Sequence, residues 1–266
     1  MIAIIDGDSI LYRACYGTDD LEYAKKKYLE ILRAQIDDCW ADKAICFVKG
    51  KGNWRHKVFK YYKAHRSTVS KEDHLKSHGL NMELMPPLLD WLVASRLAIP
   101  SNGMEADDLV RRKALKCEAR GENYTIVSAD KDLDCIVGKH LRPYKDKTSS
   151  YFITPEEADY NYYKQIMIGD STDFIKSPRL LGPKTAEKLL KETSRGNWKK
   201  MIEKEYKERC GSEWFHALMF TGSLIHIQRY ANDFFVWDKT KGDFWECGFS
   251  EAPKCYGYKL DGLEAK

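Results

Sequence analysis

The chain has no CxxC pair and no Cys/His spacing of the kind that builds a zinc site, although eight cysteines are scattered through it: Cys15, Cys39, Cys46, Cys117, Cys135, Cys210, Cys247 and Cys255. Buried, reduced thiols are the expectation. No uncharged apolar run reaches the roughly 18 residues that a membrane-spanning helix needs. The opening residues, Met1-Ile2-Ala3-Ile4-Ile5-Asp6, also lack the basic and long apolar regions of a signal peptide. The expected compartment is therefore the cytoplasm, bacterial or phage-infected, with no membrane partner. Net charge is small, +4 from 44 Lys and Arg against 40 Asp and Glu, so it names no partner by itself. No internal repeat or low-complexity linker is visible. Disorder is excluded by a hydrophobic fraction of 43% and an aromatic fraction of 12%, while 32% charged residues promise a well-solvated surface.

With 266 residues the chain can bury a sizeable core, in one large domain or two small ones. Short apolar runs alternate with segments of helical periodicity. Strands are expected at Ile2 to Ile5, Ala44 to Val48, Tyr124 to Val127 and Leu141 to Tyr144. Helices are expected at Leu21 to Trp40, Met82 to Leu97 and Asp107 to Cys117. This is an α/β pattern with a mostly parallel central sheet flanked by helices. The polar stretch Ser67 to Ser77 reads as a mobile crossing. After Ile168 Lys-rich helices follow, with irregular strands between Phe234 and Trp245. A division at 1–168 and 169–266 is expected.

Carboxylates recur in four clusters: Asp6; Glu105 with Asp107 and Asp108; Asp130 with Asp132; and Asp170 with Asp173. Like charges at this density repel strongly in a partly closed site, so a fold that converges them needs cations to neutralise them. Asp6 and Asp130 each follow a strand, where ligands of open α/β sheets gather. Glu105 and Asp108 stand one helical turn apart, as do Asp170 and Asp173, and alternate residues of an extended tip would aim Asp130 and Asp132 together. The bland alternatives are helix capping for the i,i+3 pairs and a surface turn for Asp130 and Asp132.

Distribution of positive charge adds a second signal. Seven Lys or Arg and no acid lie between Lys49 and Arg66, interleaved with Trp54, Phe59, Tyr61 and Tyr62. A helical wheel from Arg55 puts Phe59, Tyr62 and Arg66 on one side, with Lys63 one turn before Arg66. Tyr62 could stack on a base while Lys63 and Arg66 take the scissile phosphate; the alternative is a solvated basic helix with an aromatic core stripe. Gly182-Pro183 opens a further helix whose amides, with Lys184, Thr185 and Lys188, could grip duplex phosphates, against the reading of a plain turn and exposed helix.

In this order, the stretches IIDGDSILYRA, NWRHKVFKYYKAHR, MEADDL, VSADKDLD, GDSTDFI and LGPKTAEKLL resemble the 5′-nuclease family: flap endonucleases, the 5′-nuclease domains of bacterial DNA polymerases and small phage 5′-to-3′ exonucleases. The resemblance implies a PIN-like core with a helical arch at about 50–100 and a helix-turn-helix-like, duplex-binding C-terminal region packed on it. It implies two Mg²⁺ or Mn²⁺ ions. Asp6, Glu105, Asp107 and Asp108 would serve the first and Asp130, Asp132, Asp170 and Asp173 the second. Tyr62, Lys63 and Arg66 would sit at the arch base as catalytic groups, and Arg55, Gly182, Lys184, Thr185 and Lys188 would contact nucleic acid.

Two departures from the family pattern stand out. Ile45 to Gly50 supplies no carboxylate at the end of the second strand, where the family usually has one, and Ile175 to Gly182 keeps only the last of several loop glycines. The implied activity is metal-dependent 5′-to-3′ exonuclease or 5′-flap endonuclease action, in replication, repair or recombination, by a monomer. DNA with 5′ ends, flaps or branches, or RNA:DNA hybrid, would be the substrate. A weakened or inactive branched-DNA-binding protein of the same fold and a PIN-like ribonuclease are the rivals.

Overall fold

A computed structural model of the chain describes residues 1–64, 79–144, 149–179, 181–260 and 263. Two units are distinguished: unit 1 comprises Met1–Asn53 and Val69–Thr154, and unit 2 comprises Trp54–Thr68 and Pro155–Lys266. This differs from the expected boundary at 168, because Trp54 and the residues after it, and the whole helix Pro155–Ile168, group with the C-terminal region.

Unit 1 is built on a six-stranded sheet of β1 (Ile2–Asp6), β2 (Lys43–Lys49), β3 (Ile99–Ser101), β4 (Tyr124–Val127), β5 (Gly138–Arg142) and β6 (Ser149–Ile153). Its order is β3-β2-β1-β4-β5-β6, parallel except for the last pair. β1 lies between β2 and β4, with Ile5 in register with both Cys46 and Val127. Ala3, Ile4 and Ile5 are fully buried, as an apolar run in a covered parallel sheet must be. Helices Asp8–Ala14, Leu21–Asp38 and Met85–Ala94 pack Leu11, Tyr28, Leu32, Leu88 and Leu92 into the core beside Ile5 and Val127.

The chain leaves β1 for β2 on one side and reaches β4 on the other, so strand order reverses at β1. Such a reversal opens a crevice at the carboxyl ends of the strands. Gly7 makes the tight exit possible, since a Cβ there would sit 2.5 Å from Cys46 Sγ and 2.7 Å from Tyr28 Oη. Asp6 and the Ser128–Asp130 turn are the residues this topology delivers to the crevice.

Unit 2 is helical: Arg55–Val58, Pro155–Ile168, Pro183–Glu192, Trp198–Cys210 and Trp214–Ile225. The last of these is buried all round from Ala217 to Ile225, which makes it the axis of the unit's core. Phe220 on this helix meets Phe59 edge-on at 5.2 Å, and Phe244 is fully buried nearby. Residues 234–236 are irregular and 237–245 are mostly bends and turns; among the described residues no strand lies beyond Ile153. The expected irregular strands there are therefore corrected to irregular backbone and turns, with Phe234 packed against Trp54 and Trp245.

Candidate metal and nucleic-acid site

In unit 1, one hydroxyl ties two of the acidic clusters together. Ser128, just past β4, donates its Oγ–H to Asp6 Oδ2 at 2.9 Å, and the same oxygen accepts the Asp130 amide at 2.9 Å. Asp130 Oδ1 in turn accepts the Asp132 amide at 2.8 Å. Asp6 is buried, and its other oxygen accepts from Asp8 N at 3.2 Å. Burial pushes its carboxyl up to about 7, with the charges of Asp8 and Asp130 adding to the rise and the Ser128 hydrogen bond opposing it. Burial, with the neighbouring acids adding to it, thus favours the protonated form of Asp6, and a bound cation would favour the carboxylate.

Asp8 brings a carboxylate to the end of the second strand, where Ile45 to Gly50 supplies none. It opens the helix after β1, and its Oδ1 accepts from Lys49 N at 2.8 Å, so an acid from a neighbouring element stands at the end of β2. The Lys49 ammonium lies 5.9 Å from the centre of the Tyr12 ring.

Glu105 and Asp108 form a reciprocal capping box at the start of helix Ala106–Ala119. Asp108 Oδ2 accepts the Glu105 amide at 3.0 Å, while Glu105 Oε1 also accepts from Asn53 Nδ2 at 3.1 Å. The capping alternative is therefore real for both, and Asp108 is fully buried. Asp107, next to it, and Asp132 both act on the buried Cys135 thiol; burial first, then these two charges, raise it to about 11, against Arg111. That shared neighbour links the helix start to the turn after β4.

Every donor in this group is oxygen, the chemistry of a hard divalent cation. Among the described residues no three His, Cys, Asp or Glu are gathered tightly enough to grip an ion as they stand. The donor set fits such a cation in kind.

In unit 2, Asp173 Oδ2 accepts from Tyr62 Oη at 2.7 Å and pairs with Lys63 Nζ at 3.2 Å, and its carbonyl accepts the Lys63 amide at 3.1 Å. Asp170 Oδ1 accepts from Thr172 N at 2.7 Å. Lys63 has a left-handed backbone, φ 59°, so no helix runs from Arg55 to this point. The wheel expectation fails at Phe59, whose extended backbone ends the helix after Val58 because its ring is drawn into the core. Two residue roles change with it. Tyr62 is only 1% exposed, which removes it as a stacking platform. Arg55, likewise 1% exposed, donates to Leu224 O at 2.9 Å and His226 O at 2.6 Å, so its guanidinium serves the fold and not a phosphate. Arg66 lies outside the described residues, as does the expected crossing at 67–77.

Gly182 caps helix Pro183–Glu192 without a side-chain bond, and Lys184, Thr185 and Lys188 are exposed along its first turns. Lys188 Nζ is 3.9 Å from Glu192, a loose surface pair.

The family model described as 5′-3′ exonuclease, N-terminal resolvase-like domain, matches residues 1–163. This chain belongs to that family. Among the relatives of this 5′-3′ exonuclease family chain is a 5′-3′ exonuclease of Buchnera aphidicola subsp. Schizaphis graminum, 28% identical over 212 residues, covering 73% of this chain and 70% of that protein. Another is the thermostable DNA polymerase I of Thermus caldophilus, 27% identical over 207 residues, covering 72% of this chain. The matched part of this chain spans only 24% of the polymerase's length. In fold, the chain is similar to the bacteriophage T5 D15 flap endonuclease in a complex with DNA and metal ions, with a TM-score of 0.62 at 15% identity over 83% of this chain and 88% of that one.

Ser128, Asp8 and Asn53 join the site without having been singled out in the sequence. Asp8 had a signal, two residues past Asp6, and Ser128 another, two before Asp130.

Proposed function

We propose that the protein is a divalent-metal-dependent nuclease that hydrolyses phosphodiesters at 5′ ends or 5′ flaps of DNA, including RNA:DNA hybrids, as a monomer in replication, repair or recombination. The observation that carries this reading is the Asp6, Ser128 and Asp130 linkage at the strand-order reversal, with Asp8 beside it, in a chain of the 5′-3′ exonuclease family. Asp6, Glu105, Asp107 and Asp108, joined by Asp8, would hold one ion, and Asp130 and Asp132 a second, to which the resemblance also assigns Asp170 and Asp173. Bound Mg²⁺ or Mn²⁺ would supply charge neutralisation for the phosphoryl oxygens and acidify an attacking water.

The protein's own side chains do the rest. Ser128 steers Asp6, and Asn53 steers Glu105, so that carboxylate oxygens are presented with one lone pair already committed. Lys63, and Arg66 with it, would offset the charge that accumulates on the phosphate during in-line attack. Gly182, Lys184, Thr185 and Lys188 would hold duplex phosphates, a sequence-independent and salt-sensitive grip.

Incubation of a labelled 5′-flap duplex with the protein and Mg²⁺ or Mn²⁺ tests the proposal. Short 5′ products that vanish with EDTA support it. Tight binding of the flap with no cleavage at any metal level would favour a branched-DNA-binding protein instead, and cleavage confined to single-stranded RNA would favour a PIN-like ribonuclease.

A further inference from the structure

The loop that carries Asp170 and Asp173 is held by a strap from the end of the chain. Gly169, with φ 66°, closes helix Pro155–Ile168 by donating its amide hydrogen to Gln165 O, and a Cβ there would collide with the Ile175 carbonyl. Asp170 and Ile175 then exchange backbone hydrogen bonds at 2.9 and 2.7 Å. Between them Phe174 adopts φ 63°, a left-handed conformation that is costly for an aromatic residue and persists only where its surroundings over-determine it.

Those surroundings are residues 254–258. Tyr258 Oη donates to Phe174 O at 3.2 Å and accepts the Lys176 amide at 2.9 Å, so one hydroxyl fixes the backbone on both sides of Ile175. Lys176 Nζ reaches back to Tyr256 O at 3.0 Å and Gly257 O at 2.8 Å, and lies 4.7 Å from the Tyr258 ring centre. The strap itself is anchored. The Tyr256 hydroxyl donates to Ala217 O at 3.1 Å on the buried helix, and Glu213 accepts the Cys255 amide at 2.7 Å.

The same ring also reaches the Lys63 side of the pair. Tyr258 lies 4.8 Å from Phe59 and 5.3 Å from Phe174, and these two phenyl rings stack on each other at 6.1 Å. Phe59 accepts the Tyr62 amide at 2.9 Å, and Tyr62 and Lys63 both engage Asp173. One side chain from the C-terminal strap therefore contacts both segments that meet at the Asp173 carboxylate. Burial keeps the Tyr258 hydroxyl protonated far above neutral pH, so it serves as donor and acceptor throughout the working range.

We infer that Tyr258 is a positioning residue for the nuclease reaction: it sets the conformation of residues 169–176, and through them the Asp173 carboxylate and the Lys63 ammonium. This rests on the reading given under Proposed function. A purely space-filling Tyr258 would be replaced by phenylalanine without consequence, whereas a positioning hydroxyl would not.

The test uses the full chain and three forms: wild type, Tyr258→Phe, which keeps the ring, and Tyr258→Ala, which removes it. Amide hydrogen exchange is read first, without metal or substrate. Tyr258→Phe is expected to speed exchange at Ile175 and Lys176 by about tenfold while helix Trp198–Cys210 is unchanged, and Tyr258→Ala to do so more. On a 5′-flap duplex, Tyr258→Phe is expected to lower kcat with KM within about twofold, the split that marks loss of alignment and not of binding. Unchanged exchange in the loop, or faster exchange with unchanged kcat, overturns the positioning role while an active wild type leaves the nuclease reading standing. A wild-type protein that cleaves nothing with any divalent metal overturns both.

Discussion

The Ser128 hydroxyl lies 2.9 Å from Asp6 Oδ2 and donates to it, so a residue beyond β4 steadies the carboxylate that ends β1. Because the same oxygen accepts the Asp130 amide, two acids that are distant in sequence share one small polar group. Parallel neighbours in register bring this about: Ile5 sits opposite Val127, and one further step along each strand reaches Asp6 and Ser128.

If Asp130 holds a cation as proposed, replacing it by Asn should leave flap binding within a few-fold and lower turnover by at least about 100-fold, since the charge lost would belong to cation binding and not to the duplex grip. Single-turnover cleavage beside a binding titration in Ca²⁺ checks this. Undiminished cleavage would remove Asp130 from the site.

The pH dependence of metal-free stability follows from Asp6. Its folded-state value is raised to about 7, chiefly by burial, so the protonated form is the favoured one in the fold. Stability from this group is fully present below the unfolded-state value and is lost as pH rises through about 7. Asp6→Asn cannot ionise and escapes that loss. In EDTA, urea unfolding should show the variant gaining on wild type by roughly 2–3 kcal/mol between pH 5 and pH 8. A constant difference across that range would show that Asp6 titrates normally.

Under the proposed role of Lys63, Lys63→Ala should reduce single-turnover cleavage by about tenfold or more with little change in affinity, because a cation that faced the reacting phosphate would contribute chiefly to the transition state. If affinity alone falls, Lys63 is a substrate-holding contact.

Arg55→Met tests the structural role given to the buried guanidinium. Two carbonyls, Leu224 O and His226 O, would lose their donors inside unit 2. Unfolding in urea should reveal a loss of about 2–4 kcal/mol, while the folded fraction keeps its affinity for duplex. Preserved stability with weakened DNA binding would return Arg55 to the nucleic-acid interface.

Much of unit 1 was legible because its strands carry continuous apolar runs: β1, β2 and β4 fall where such runs end in Asp, Lys-Gly and Ser-Ala-Asp. β3 and β6 were not, being a three-residue edge strand containing Pro100 and an antiparallel strand with mixed polarity. The Arg55 segment misled for a different reason. Spacing alone cannot tell a helix that presents Phe59 and Tyr62 from a turn that buries both, and here the aromatic core of unit 2 decides. Likewise the acids of the site announce themselves in order along the chain, whereas Ser128 and Asp8 gain their meaning only when β4 and β2 lie against β1.

Anomalous scattering from crystals grown with Mn²⁺ tests most directly whether these carboxylates cage cations. The expected result is a pair of peaks roughly 4 Å apart, one ligated by Asp6 and one by Asp130. Peaks confined to other surfaces, with Asp6 and Asp130 bare in a protein that still cleaves DNA, would contradict it.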